Sequence, residues 1–563
     1  MHRFAVLADP HYHELFPGYP IDGVTFRGGA GACLRSREDS AASTRIYNES
    51  ALALPWALDA CAAQGIRTVI IPGDLTDDGQ APSMAGALAL LADYRARHGM
   101  RFFLTPGNHD VYGMSGRHHT KTFLTADGGR VKVSSRADAA TVHDPRMACR
   151  GYGGLIDLWR DHGLMRSASD LHWESPFGPD DAQESRMFTL ASPDGTVRHR
   201  QIDTSYLVEP EEGLWLLSVD ANVFEPRNGR PDNRQEDAFD DSTNAGWNAL
   251  VRLKPFLLDW MADVARRAAA GGKTLICFSH YPVADVLRDT YSNEVALFGR
   301  TASALRNPTP ETAARVAATG VTTHISGHLH YLVTAQVSHG AHRLTNIAAP
   351  SPVAFPPAFL TLSAKGKALD MTVHMIDMPD FDAFFHFYAN QSPEGDASRD
   401  WLSATSYPQF LYFHIRELVQ RRFMAREWPD DLRQFISGRT VDDLFALSIR
   451  EDPVHLPAYN PPACPRGLPM IDLLTDWYAA RSAGPLVWDF VPAERRQIWA
   501  DLIAAFELQY WDDPQCLQSR LRRWLNMFAC TMSSTGDASF VGSHKGLAAA
   551  PVNLLAPRTL PPH

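Results

Sequence analysis

Six short apolar runs constrain this chain more than any other feature, because each is too brief for a helix and each stops at a cluster of Asp, Asn or His. Phe4–Ala8 leads into Asp9-Pro10-His11, Thr68–Ile71 into Pro72-Gly73-Asp74, and Arg101–Leu104 into Thr105-Pro106-Gly107-Asn108-His109-Asp110. Later, Leu214–Val219 leads into Asp220-Ala221-Asn222, Thr274–Ser279 into His280-Tyr281-Pro282, and Val321–Ser326 into Gly327-His328-Leu329-His330. Such runs read as buried strands, and the Gly and Pro residues after them as tight turns. Asn offers a neutral oxygen to a hard cation, His can ligate a metal or carry a proton, and Asp can orient a neighbouring His. Gly107-Asn108-His109-Asp110 alone fits a plain polar turn equally well. Its repetition at successive strand ends turns the pattern into a candidate site, and Asp9 and His11, two residues apart on extended backbone, face the same side.

The spacing between runs fits helices. Periodicity predicts one from about Arg45 to Gln64, a second from about Pro82 to His98 and a third from Trp247 to Ala270. Alternation of strand and helix predicts an α/β fold whose sheet is buried on both faces, with ligands gathered at the carboxyl ends of the strands. Residues 111–212 are Gly- and Asp-rich and read as an insertion over the site, either a source of substrate selectivity or an elaboration of surface loops. From Tyr331 to Ile376, alternating segments at Val333–Val337 and Ala358–Leu362 predict antiparallel strands closing a second sheet. The expected division is therefore residues 1–376, a catalytic domain, and residues 377–563, a mostly helical domain rich in tryptophan.

Composition narrows the class. With 45% hydrophobic and 21% charged residues the chain reads as an ordinary globular protein, and 563 residues exceed what one core usually holds. A net charge of −11 argues against broad nucleic-acid or anionic-membrane binding, although metals can make a phosphate site locally positive. The basic face of Leu517–Leu525 reads as a solvated or pairing surface. Seven scattered cysteines without a Cys-x-x-Cys pair give neither a disulfide framework nor a thiolate zinc site, so reduced thiols are expected. No run near Met1 is long enough for a signal peptide or membrane span, and the expected compartment is the cytoplasm. Oligomeric state leaves no trace in the sequence.

Taken in order, Asp9-x-His11, Gly73-Asp74, Gly107-Asn108-His109-Asp110, His280 and Gly327-His328-x-His330 resemble the motif set of the calcineurin-like metallophosphoesterases. The resemblance covers roughly residues 1–376 and implies a four-layer α/β/β/α sandwich. It also implies that Asp9, His11 and His330 bind one metal, that Asn108, His280 and His328 bind another, and that Asp74 bridges both. The same resemblance makes His109 the substrate-facing imidazole, with Asp110 as its orienting partner. Asp220 reads equally as a structural cap. A donor set of carboxylate, imidazole and carbonyl oxygen without thiolate suits Mn, Fe or Zn. Two such cations would hold the phosphoryl oxygens and acidify a bridging water to hydroxide, while His109 meets the charge on the leaving oxygen. The form Gly73-Asp74-Leu75-Thr76-Asp77-Asp78-Gly79 resembles that of bacterial cyclic-nucleotide and related phosphodiesterases, and the ligand Tyr of purple acid phosphatases is missing after Asp74. The expected activity is hydrolysis of a small or medium-sized phosphate diester. Phosphomonoester hydrolysis and an inactive binding scaffold are the alternatives.

Overall fold

The computed structural model describes residues 1–365, 368–391, 401–448, 467–507, 509 and 511–533. Twelve strands build its two large sheets: β1 (His2–Val6), β2 (Thr68–Ile71), β3 (Arg101–Leu104), β4 (His172–Glu174), β5 (Tyr206–Glu211), β6 (Leu214–Ser218), β7 (Thr274–Phe278), β8 (Thr323–Ser326), β9 (Val333–His339), β10 (His342–Ala348), β11 (Ala358–Lys365) and β12 (Ala368–Met375). The first sheet has the order β12-β11-β1-β2-β3, with β1, β2 and β3 parallel and β11 antiparallel to β1. The second has the order β9-β10-β8-β7-β6-β5-β4, parallel from β10 to β6 and antiparallel at both edges.

Alternating side chains join the layers. Along β6, Leu214 and Leu216 enter the cluster that also holds Phe4, Val6, Val69 and Phe102 of the first sheet. Trp215 and Leu217 turn the other way, into a second cluster with Leu250, Leu257, Met261 and Val264 of the helices Gly246–Leu253 and Pro255–Ala270. A sheet buried on both faces explains why β2, Thr-Val-Ile-Ile, has no exposed position.

Several expectations need correction. The strands between Tyr331 and Ile376 do not close one sheet: β9 and β10 extend the second sheet, whereas β11 and β12 return to the first. The free edge of β1 would otherwise expose a row of unpaired backbone groups, and β11 pairs with it from His2 to Val6. Residues 111–212 form two small sheets but also supply the whole of β4 and β5 to the second large sheet, so they are not wholly peripheral. The helix expected from Arg45 starts at Ser50, because the Arg45 guanidinium is turned towards Asp77 and the Asn48 carboxamide holds the Arg35 backbone N–H at 2.9 Å. The helix expected over Trp247–Ala270 breaks at Lys254, where Pro255 forces the preceding residue out of the helical region (φ −125°, ψ 50°).

After Asp377 the described residues are helical, with long helices at Tyr407–Leu418, Met470–Ala483, Ala493–Glu507 and Leu517–Ser533. Trp401, Trp477, Trp499 and Trp524 are buried in the same hydrophobic cluster as β1 and β2. Polar contacts cross as well: the Asn48 amide donates to Tyr388 Oη at 2.8 Å, and Arg481 pairs with Glu294 at 3.0 Å. Of the basic face at 517–525, Arg520 pairs with Asp431 and Arg522 donates to the Gln509 carbonyl. Six cysteines are free thiols, and Cys464 lies outside the described residues. Among the described residues no helix is long and apolar enough to cross a membrane.

Candidate metal centre

The carboxyl ends of β1, β2, β3, β7 and β8 converge, and each delivers its polar cluster to one place. Two groups of buried ligands result, Asp9 with His11 and His330, and Asp74 with His280 and His328. Within each group the ligand atoms lie within 4.8 Å of one another. Asp74 also lies 3.7 Å from His11 Nε2 and 3.3 Å from His280 Nε2, between the two groups. Asn108 Oδ1 is 3.1 Å from His280 Nε2.

The backbone is bent to achieve this. Asp9, His11, Asp74, His328 and His330 all have positive φ, from 45° to 70°, a region that non-glycine residues rarely occupy. Gly107 and Gly327 are needed for space: a Cβ on Gly107 would overlap Asp74 Oδ1, and one on Gly327 would overlap Asp9 Oδ2. Gly73 is needed for both reasons, with φ +92° and His280 Nδ1 only 2.5 Å from where its Cβ would stand. Backbone donors then fix the carboxylates, His328 N to both Asp9 oxygens at 3.0 Å and His109 N to Asp74 Oδ1 at 2.8 Å.

The donor set fits two cations. His280 Nδ1 stands 3.0 Å from the Pro72 carbonyl, which fixes the proton there and leaves the Nε2 lone pair facing Asn108 Oδ1, Asp74 Oδ2 and, at 2.9 Å, His328 Nδ1. His11 Nε2 and His330 Nε2 likewise meet at 3.1 Å, while His11 Nδ1 and His328 Nε2 are buried without a partner. Lone pairs converging in a dry site repel unless a cation sits among them. The electrostatics agree for His11, His328 and His330, whereas His280 carries a proton that a bound cation would have to displace. Burial opposes a charge on His280, yet Asp74 and Asp9 overcome it and push its pKa up to about 9. Burial holds His11 and His328 well below the ordinary imidazole range and His330 at about 3, the neutral form a ligand needs. Asp74 stays below the usual carboxylate range against the cost of burial, because His280 and His109 lie beside it.

His109 stands apart from both groups, its ring edge-on to His11 with centroids 5.1 Å apart. Its expected partner Asp110 does not reach it. The Asp110 carboxylate instead accepts from Gly107 N at 2.9 Å and Thr76 N at 3.3 Å, which pins the loop carrying Asn108, and burial with the nearby Asp74 charge pushes its pKa up to about 7. The partner is Asp78, whose Oδ1 lies 2.6 Å from His109 Nδ1 and accepts from Tyr112 Oη at 2.6 Å. Lys121 and Arg45 hold Asp78 in turn, at 2.6 and 3.4 Å, and with His109 keep its carboxyl well below the ordinary range despite burial. Asp78 is visible in the sequence four residues beyond Asp74, but nothing in the spacing chooses it over Asp110. Lys121, from the 111–212 segment, carries no such signal.

Asp220 acts as a cap: it accepts from Thr204 Oγ1 at 2.8 Å and Tyr152 Oη at 2.9 Å and stays out of the ligand groups. Its neighbour Asn222 is closer to the site, donating to the Pro106 carbonyl at 2.8 Å and thereby tying the second sheet to the Asn108 turn.

A family model described as calcineurin-like phosphoesterase matches residues 2–332. A search of curated proteins returns no match. Among solved structures, a dimetal phosphatase from Danio rerio is 14% identical, with 66% of this chain and 94% of that chain covered and a TM-score of 0.34. A purple acid phosphatase from yellow lupin seeds is 10% identical, with 66% of this chain and 51% of that one covered and a TM-score of 0.32. A Thermus thermophilus sulfate thiohydrolase, solved with glycerol, is 13% identical over 75% of this chain and 60% of that one, with a TM-score of 0.27. None of these three likenesses bears on the assignments that follow.

Proposed function

The chain belongs to the calcineurin-like phosphoesterase family, and from that premise we propose that it hydrolyses a phosphate diester with the help of two bound cations of the Mn, Fe or Zn class. The observation that carries this reading is the convergence of His280 Nε2, His328 Nδ1, Asn108 Oδ1 and Asp74 Oδ2 beside the Asp9, His11 and His330 group, with one carboxylate, Asp74, shared between them. When bound, two cations in such a site supply Lewis-acid stabilisation of the phosphoryl oxygens and activate water at neutral pH.

The chain's own residues do the rest. Asp9, His11 and His330 would hold one cation, and Asn108, His280 and His328 the other. Asp74, placed between the two groups, would screen the repulsion between them. His109, partly exposed beside the two ligand groups, donates a proton or hydrogen bond to the leaving oxygen, while Asp78 holds its Nδ1 and fixes the ring. Asp110 holds the loop that presents Asn108 and His109. The form of the Gly73–Gly79 segment favours a diester, with phosphomonoester hydrolysis the alternative, and a cytoplasmic setting fits the free thiols.

The test combines metal analysis with turnover of an aryl phosphodiester and the matching monoester under added Mn²⁺. About two metals per chain and faster diester cleavage are expected. A chain with two metals that cleaves neither ester would overturn the activity, and faster monoester cleavage would overturn the diester preference.

A further inference from the structure

A cavity of about 240 Å³ opens beside His328 and His330, and its charge is the reverse of the chain's net −11. Five arginines line it (Arg300, Arg306, Arg422, Arg426 and Arg481) against one carboxylate, Glu427. Arg481 is committed to both oxygens of Glu294, at 3.0 Å each. Arg306 and Arg422 are not so matched: among the described residues neither reaches a carboxylate, and Arg306 Nε is buried with no hydrogen-bond partner. Arg422 donates to the neutral Ala42 carbonyl at 3.3 Å. Burial, with the like charges of Arg426, Arg306 and Arg45 around it, holds its pKa below the arginine range.

Half-buried guanidinium groups facing one another are costly unless an anion sits among them, and the planar fork of arginine matches the oxygens of phosphate and carboxylate. Arg422 and Arg426 also stand four residues apart on one helical stretch, a spacing at which like charges repel. Arg422 lies in a π-helical turn, Val419–Phe423, inserted between the α-helices Tyr407–Leu418 and Met424–Glu427. Single π turns inside α-helices are frequent at functional sites. Arg306 shares the wall of the cavity with His328 and His330.

We propose that this cavity is an anion subsite, holding a second negatively charged group, phosphate or carboxylate, on the alcohol portion of the substrate. The inference rests on the phosphoesterase reading and narrows it to esters that carry a further anion. It also gives the helical segment after Asp377 a part in substrate selection, through Arg422 and Arg426, while every candidate metal ligand lies at or before His330.

Two measurements on the full-length chain test it. In the first, the metal-loaded wild type and Arg422→Met are compared on aryl phosphodiesters whose second alcohol ends in a carboxylate, a phosphate or a neutral alkyl group, and on the aryl monoester. The wild type is expected to favour an anionic ester in kcat/KM by at least about tenfold, the size of one charge-assisted hydrogen bond, and the variant to lose most of that ratio. Which anionic ester gains more distinguishes phosphate from carboxylate. A ratio unchanged by the substitution, or a loss confined to the monoester, would overturn the proposal, since the arginines would then serve no second group. The second measurement titrates inorganic phosphate calorimetrically into chelator-treated protein, where the arginines alone can hold it. Binding about tenfold weaker in Arg422→Met is expected, and equal binding or none in the wild type would overturn the subsite. Phosphate binding that falls in the variant while no ester is cleaved would sink the phosphoesterase reading and leave the anion site standing. A purely structural arginine would lower Tm when replaced, whereas removing an unmatched charge leaves Tm equal or higher in phosphate-free buffer. Should Arg422→Met fail to fold, Arg426→Met, at an exposed position on the same helical stretch, gives the same readouts.

Discussion

Replacing Asp78 by Asn separates the proton-handling side of the site from its metal-holding side. Asp78 Oδ1 receives His109 Nδ1 and Tyr112 Oη, both at 2.6 Å, and lies outside the two ligand groups. The substitution removes a charge-assisted hydrogen bond to His109, worth roughly 1.5–3 kcal/mol. At about 1.36 kcal/mol per tenfold, that is a fall of roughly ten- to a hundredfold in kcat if the bond is fully expressed when His109 protonates the leaving group. Asp77 remains to hold Lys121 and Arg45, so the variant should fold and keep its metals. The assay is kcat across aryl phosphodiesters of graded leaving-group pKa, with metal content measured in parallel. The loss should be full for poor leaving groups and small for good ones, and His109→Ala should show the same pattern. Asp110→Asn should behave differently: it weakens the cap on Gly107 N and Thr76 N, so metal content falls with activity for every ester. If Asp78→Asn lost metal, or slowed all esters equally, the pairing with His109 would not be the source of its effect. If Asp110→Asn kept its metals and showed the leaving-group pattern instead, the roles of the two carboxylates would be reversed.

Gly107→Ala places a methyl group on Asp74 Oδ1 and should cost about 1–3 kcal/mol of stability by overpacking while displacing the shared carboxylate; elemental analysis should find less than one metal per chain in folded protein, and normal loading would show that the turn yields instead. Glu49 supplies a pH test away from the metals. Burial pushes its pKa from 4.5 up to about 7, and only one of its oxygens accepts a hydrogen bond, from Tyr388 Oη at 2.9 Å. Between those values the folded chain keeps a proton that the unfolded chain has released, so this group makes stability fall as pH rises, by up to about 3 kcal/mol in all. Glu49→Gln has no such proton, and the stability difference between wild type and variant should drift over that window and be flat outside it; a difference constant across pH 4–8 would refute the assignment.

The strands and their ends were legible because both signals are local. A run such as Thr68-Val69-Ile70-Ile71 can be satisfied only in a sheet covered on both faces, and Pro72-Gly73-Asp74 after it can only turn. Helix limits were less legible. Lys254 follows from the proline after it, but the delayed start at Ser50 depends on where Arg45 and Asn48 find partners, at Asp77 and at the Arg35 backbone. The return of β11 and β12 to the first sheet had no sequence signal either, since alternation marks a strand without marking its neighbour.

At the site, the sequence by itself determined which side chains are offered: Asp9, His11, Asp74, Asn108, His109, Asp110, His280, His328 and His330, each placed by the end of its own strand. The tertiary structure alone decided how they combine. It brought His280 within 3.3 Å of Asp74 across more than two hundred residues of chain, and five of the ligands adopt a positive φ that no local preference favours. It gave His109 to Asp78 and Asp110 to the backbone, although both carboxylates lie close along the chain, because Lys121 arrives from another segment to hold the first and the turn at Gly107 encloses the second. It also set Arg422 beside Arg306 in one cavity. The physical reason is reach: hydrophobic pattern and turn chemistry act over a few residues, while charge, ligand geometry and shared burial act through space between elements that only the completed fold makes neighbours.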